Sequence, residues 1–187
     1  MKKIAMIIVI CAIIFILLVI LLFIATFGGF NFLLSVPEPQ IKYGEFPCKL
    51  TYEINGEIKT IEDTIICEFD GYEVLGESGK YRKWKSHLKS GNEEIVLLDL
   101  RNKNEKNEFG HTMLELFFYW GSAEFYMGDY ESGRARESQD FNWIEYKYKT
   151  DDGQIGGSGY KADEAFEKYA IKLMKWEIAE PIENSFD

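Results

Sequence analysis

From Ile4 to Phe27 the chain reads IAMIIVICAIIFILLVILLFIATF, 24 residues with no charge and a single hydroxyl, Thr26. At about 1.5 Å per residue a helix of this length reaches roughly 36 Å, which covers a hydrocarbon core of about 30 Å with some tilt. The run predicts a transmembrane helix over residues 4–27, with residues 1–3 on one side and the rest of the chain on the other.

Two other uses of such a run fit less well. A cleaved secretory signal has an apolar region of about 7 to 15 residues ending in a small-x-small site. Here the run is longer and its exit, ATFGGFNF, puts Phe27 where cleavage after Gly28 or Gly29 wants a small side chain. A lipid-modified cysteine follows a small residue at the end of the apolar run, whereas Cys11 follows Ile10 with sixteen run residues still to come. Both nearby positive charges, Lys2 and Lys3, precede the run, and the next is Lys42. The positive-inside bias therefore puts the N-terminus in the cytoplasm and the C-terminal domain outside the cell membrane.

Beyond the anchor, the 21 basic residues less Lys2 and Lys3 leave 19 against 31 acidic, a net charge of −12. Such a surface repels phosphate backbones, so nucleic acid is excluded as a general partner. About 150 residues remain, enough for one domain with a real core, and the recurring Trp, Tyr, Phe and Ile argue against disorder. Val36-Pro37-Glu38-Pro39 reads as a stiff extended end to a juxtamembrane spacer, 28–39. The β-rich domain is expected over residues 40–182, with a short tail at 183–187.

Cys48, Leu50, Tyr52 and Ile54 alternate with polar residues up to Asn55-Gly56, a strong two-residue hairpin signal. The return strand carries Ile65, Cys67 and Phe69 on one face, and Asp70-Gly71 is expected to end it. In this register Cys48 faces Asp63, which leaves Cys67 about 13 Å away along the partner strand at strand rise. A disulfide needs α-carbons within about 7 Å, so two buried free thiols are favoured over a Cys48–Cys67 bridge, which a bulge or bend would still allow. Further strands are expected at residues 94–100, 112–120, 123–127 and 142–148, with Gly121-Ser122 as a turn between two of them. Only one later segment has helical period: Phe166, Tyr169, Ala170, Leu173 and Met174 share a face. The predicted fold is α+β: an N-terminal transmembrane helix, then one mostly antiparallel, sandwich- or roll-like β domain with a C-terminal amphipathic helix.

The segments IKYGEFPCKLTYEINGE (Ile41 to Glu57), GKYRKWKSHLKSG (Gly79 to Gly91) and YWGSAEFYMGD (Tyr119 to Asp129) resemble a group of single-pass membrane-anchored proteins of Firmicutes-type bacteria with no assigned activity. The resemblance spans about Pro37 to Asp129. It implies a Gram-positive cell-surface setting and carries over no catalytic residues.

Lys80, Arg82, Lys83, Lys85 and Lys89, with Trp84 and His87 among them, form the one basic cluster on an acidic domain. An anion site for a phosphate-bearing wall polymer or lipid headgroups is the functional reading. A solvated face balanced by acids such as Glu93 and Glu94 is the plainer one, and favoured. Trp84, Trp120 and Tyr126, with Phe125 and Tyr130, offer either an aromatic surface for glycan rings or ordinary core residues, and core is favoured. Gly156-Gly157-Ser158-Gly159 before the helix lacks the Lys-Ser or Lys-Thr of a phosphate loop and reads as a flexible loop. His87 and His111 have no partner at a ligand or nucleophile offset, and the acidic pairs Glu62-Asp63, Glu93-Glu94 and Asp151-Asp152 match no calcium loop. No cofactor and no metal is expected. The chain reads as a membrane-anchored binding or assembly domain of the cell envelope that touches the bilayer through residues 4–27 and meets wall polymer or another membrane protein. An envelope hydrolase whose site sequence does not reveal is the alternative.

Overall fold

A computed structural model of the chain describes residues 2–26, 36–74, 79–137 and 143–186. The exit segment 28–35 and parts of the loops expected at 76–79 and 130–138 lie outside the described residues. The chain divides into two compact units, Met1–Glu38 with Asp70–Lys83, and Pro39–Phe69 with Trp84–Phe186.

In the first unit, α1 runs Lys2–Thr26, and its unbranched and branched aliphatic residues leave no polar face. Every described side chain of this helix is exposed, Phe15 by 67%. Over the residues whose side chains are described, no helix is long and apolar enough to cross a membrane. In the same unit Lys83 Nζ lies 2.7 Å from Asp70 Oδ2, Lys80 Nζ sits 4.1 Å over the Tyr72 ring, and Arg82 Nη1 donates to the Pro37 carbonyl at 3.3 Å.

The strands are β1 Tyr43–Ile54, β2 Glu57–Val74, β3 Lys80–Leu88, β4 Ile95–Asp99, β5 Thr112–Phe118, β6 Trp143–Lys149, β7 Ile155–Lys161 and β8 Ile171–Ile178. Two four-stranded antiparallel sheets result, ordered β3-β2-β1-β8 and β4-β5-β6-β7. The β1–β2 hairpin turns on Asn55 and Gly56, both at positive φ, and its register puts Cys48 opposite Asp63 as expected. Cys67 faces Gly44 instead, and both thiols are free and buried, so the bridge does not form. Asp70-Gly71 does not end β2: Gly71 takes φ +82° inside the strand, which continues to Val74.

Within the second unit the inner faces of the two sheets share one core. The Phe118 ring lies 4.9 Å from that of Trp176, and the Tyr52 hydroxyl reaches the Leu97 carbonyl at 3.5 Å. Alternation dictates the burial: Phe46, Cys48, Leu50, Tyr52 and Ile54 point in along β1, while Ile65 and Cys67 do so along β2.

Three expected elements come out differently. Residues 123–127 are not a strand: Ala123–Tyr126 form a short helix, α2, capped by Ser122, whose hydroxyl accepts from Phe125 N at 3.3 Å. One helical turn buries Ala123 and Tyr126 together, at a spacing that a strand would have put on opposite faces. The glycine stretch is strand β7 rather than a loop, since aromatic rings of β6 lie over the glycines: Tyr148 over Gly156 and Trp143 over Gly159. The C-terminal helix, α3, is only Ala162–Tyr169 and ends at Ala170 in the left-handed region, φ +51°. Ile171–Ile178 then extends as β8 alongside β1. Phe166 and Met174, expected on the buried helix face, are 51% and 45% exposed. A period of two, Ile171 and Leu173 inward with Lys172 and Met174 outward, wins because the free edge of β1 supplies backbone partners that an isolated helix end lacks.

The tail is also held. Asn184 accepts from Ile41 N at 3.0 Å through Oδ1 and donates through Nδ2 to the carbonyls of Ile41 at 2.8 Å and Met127 at 3.1 Å. Ile182 N donates to the Tyr126 carbonyl at 2.9 Å and Gln40 N to that of Ser185 at 3.0 Å. Residues 184 and 185 of the expected tail are thus tied to Gln40, Ile41 and Met127.

Candidate functional site

Lys83, Lys85 and Lys89 of the basic cluster each meet an acid of a neighbouring strand. Besides the Lys83–Asp70 pair, Lys85 lies 3.7 Å from Glu68 and Lys89 3.0 Å from Glu45. The balancing acids come from β2 and β1, not from Glu93 and Glu94. Alternation along β3 buries Arg82 and Trp84 and turns Lys83 and Lys85 outward. These exposed pairs are each worth little.

The three aromatics expected to head an aromatic surface are buried. Trp84, Trp120 and Tyr126 are 7%, 5% and 1% exposed. The Trp84 indole donates to the buried Asp129 carboxylate at 2.9 Å, and the Tyr126 hydroxyl donates to the Trp120 carbonyl. Indole and phenol are thus held by polar partners in a wall of the core, where burial drives the Tyr126 pKa up. The His111 ring stacks on Tyr148 with ring centroids 5.2 Å apart, and no group of three or more metal-type side chains exists among the described residues. Glu62 pairs with Lys49 at 2.6 Å, and Asp152 accepts from Thr150 and from Gln154 in its own turn.

A different place in the second unit does gather chemistry. A cleft of about 270 Å³ is lined by Ser86, Glu93, Glu94, Phe117, Phe118, Tyr119, Trp120, Gly121 and Glu145. It forms where the start of β4 and the end of β5 pair, Ile95 opposite Phe118, and where β6 brings Glu145 opposite Phe117. The lining holds three carboxylates and no lysine, arginine or histidine. Beside it Lys147 Nζ contacts Glu94 at 2.6 Å and Glu115 at 3.4 Å, and lies 5.4 Å from the centre of the Phe117 ring. Glu115 is in turn 3.9 Å from Arg101, which clasps Asp99.

Burial pushes the carboxyl pKa values of Glu94 and Glu145 above the usual range. Lys147 pulls Glu94 back down, while Glu115 and Glu93 push it up, and Glu94 does the same to Glu145. Tyr119 is raised by burial and by Glu145 and Glu124, and lowered by Arg136. The arrangement can hold positive charge, or pass a proton between carboxyl groups of raised pKa.

Sequence reasoning read Glu93 and Glu94 as acids balancing the basic face and did not single out Glu145 or Tyr119. The available signal was the outward alternation Trp143, Glu145, Lys147 on β6. It was unusable without knowing that β5 and β4 lie beside it. Comparison with protein-family models, with curated proteins and with solved structures finds no match.

Proposed function

We propose that the chain is a single-pass membrane-anchored binding domain of the cell envelope, with residues 4–27 in the bilayer, the N-terminus in the cytoplasm and the β-rich domain outside. The observation that carries the reading is α1, 25 residues with charge only at Lys2 and Lys3. Its described aliphatic side chains are exposed on all sides, a condition stable in lipid and not in water. The resemblance to surface proteins of Firmicutes-type bacteria supports the Gram-positive setting, and the cleft beside Glu94 and Glu145 is the part of the domain suited to a ligand, for example on wall polymer or another membrane protein.

The test is fractionation and protease accessibility of the full chain carrying a C-terminal epitope in protoplasts. The chain is expected to sediment with membranes, resist alkaline carbonate, and lose its epitope to external protease. A soluble chain would overturn the anchor, and a protected epitope the orientation.

A hydrolase is the second reading, favoured by one observation: two carboxyl groups of raised pKa, Glu94 and Glu145, meet in one cleft. Release of soluble sugar or peptide from wall polymer that disappears in Glu94→Gln would support it. Binding without release would leave the binding domain.

A further inference from the structure

We infer that β8 is a self-pairing edge: two copies of this chain join antiparallel along Ile171–Ile178, around a two-fold axis through the bulge at Met174 and Lys175, with Lys172 of each copy opposite Glu177 of the other. The inference goes beyond the anchored reading and stands without it.

Within the second unit β8 is the last strand of its sheet, bonded to β1 on one side. Two hydrogen bonds fix which of its backbone groups face away from β1. Asn55 N donates to the Ala170 carbonyl at 3.1 Å, and Ala179 N to that of Pro47 at 3.1 Å. Bonded and non-bonded pairs alternate along an antiparallel ladder. In the register of β1 with β8, the backbone groups of Lys172, Lys175 and Glu177 therefore turn to β1, and those of Ile171, Leu173, Trp176 and Ile178 to the open side. The bulge makes this possible. Tyr52 faces Leu173 and Thr51 faces Lys175, so Met174 is the extra residue, and without it Leu173 and Trp176 would direct their backbones to opposite sides.

Self-pairing around the bulge sets Ile171 opposite Ile178 and Leu173 opposite Trp176, all with backbones turned to the open side, for about eight new hydrogen bonds by the antiparallel pattern. The faces match as well: Ile171, Leu173, Trp176 and Ile178 pack on the core, while Lys172, Met174, Lys175 and Glu177 are exposed. On that outer face the Lys172–Glu177 pair forms once for each copy, and opposite charges directly across strands attract where like charges repel. Lys172 makes no ion pair among the described residues, and Glu177 uses Oε1 for Lys175 at 2.7 Å, which leaves its Oε2.

Lysines and a bulge ordinarily blunt an edge against foreign strands. On β8 they leave one register open to a second copy. Moving the axis onto Leu173 sets Lys172 against Lys175 and takes Glu177 past the end of the partner strand, and moving it onto Trp176 takes Ile171 and Lys172 past that end.

The test is sedimentation equilibrium of the full chain in density-matched detergent, with amide exchange read residue by residue. A monomer–dimer equilibrium is expected with a dissociation constant on the order of 10–100 μM, in keeping with a contact smaller than a standard interface. Lys172→Glu and Glu177→Lys should each raise that constant by about tenfold or more, and the double variant should return it to within about threefold of the unmodified chain. Dimer formation should slow exchange at Ile171, Leu173, Trp176 and Ile178 and leave Lys172 and Glu177, whose N–H groups turn to β1, unchanged. A chain that stays monomeric up to about 1 mM, a dimer insensitive to both charge reversals, a double variant no better than the single ones, or a dimer without the added protection would each overturn the inference.

Discussion

Cys48 and Cys67 are the residues on which sequence and structure can be compared most closely. Both face inward beside Tyr126, and burial raises their thiol pKa values to about 11 and about 12. Asp63 raises Cys48 further and Glu124 raises Cys67, and backbone N–H groups at Asp63 and Ile65 offset part of the Cys48 shift. Thiolate is the reactive form, so neither thiol should react with a thiol reagent in the native protein near pH 8, while both should react at once in denaturant. The linkage follows in sign. Folded pKa values raised above about 9 mean the thiols favour the fold fully below pH ~9, and that contribution is lost as pH rises to about 11 for Cys48 and about 12 for Cys67. Equilibrium unfolding of Cys67→Ala against the unmodified chain checks this: the pH dependence above about 9 should flatten in the variant. The hairpin turn made the register of these cysteines readable, because Asn-Gly turn geometry fixes each cross-strand pair. Trp84, by contrast, was readable as a core aromatic, but its partner was not. That its indole ends on Asp129, 45 positions away, depends on the path of the chain between them.

At the scale of elements, the segment after Ala170 shows how a correct pattern leads to the wrong structure. Phe166 to Met174 satisfies the helical period, yet residues 171–178 also alternate, and pairing with β1 selects the alternation. Leu173 is buried opposite Tyr52 and Met174 is exposed. Leu173→Ala should therefore cost about 2–4 kcal/mol in denaturant unfolding, while Met174→Lys should stay within about 0.5 kcal/mol. Comparable losses from both would restore the helix. The glycine strand β7 carries a similar lesson, since Gly156 and Gly159 look like loop residues until Tyr148 and Trp143 are seen to lie across them. A side chain at either position would meet a ring, so the glycines pack the strand instead of loosening it.

For the whole molecule, the two chain ends of the second unit meet. Asn184 joins Ile41 to Met127, and Gly128 leaves the tail room: a Cβ there would come 2.5 Å from the Ile182 carbonyl, at φ +67°. Asn184→Ala strands the carbonyls of Ile41 and Met127 and should lower the unfolding free energy by about 1–3 kcal/mol, with faster amide exchange at Ile41 and Ile182. Unchanged exchange would mean the tail is held without it. The sequence alone determined what local physics determines: a long apolar helix, the β1–β2 hairpin and its register, and the strands near 95–99, 112–118 and 143–149. Only the tertiary structure decided the rest. Whether 171–178 became helix or strand depended on a free β1 edge, whether the basic residues stayed open depended on acids of neighbouring strands, and the cleft exists because strands distant in sequence set Glu94 and Glu145 beside one aromatic wall. Each of those outcomes depends on a partner that no periodicity encodes.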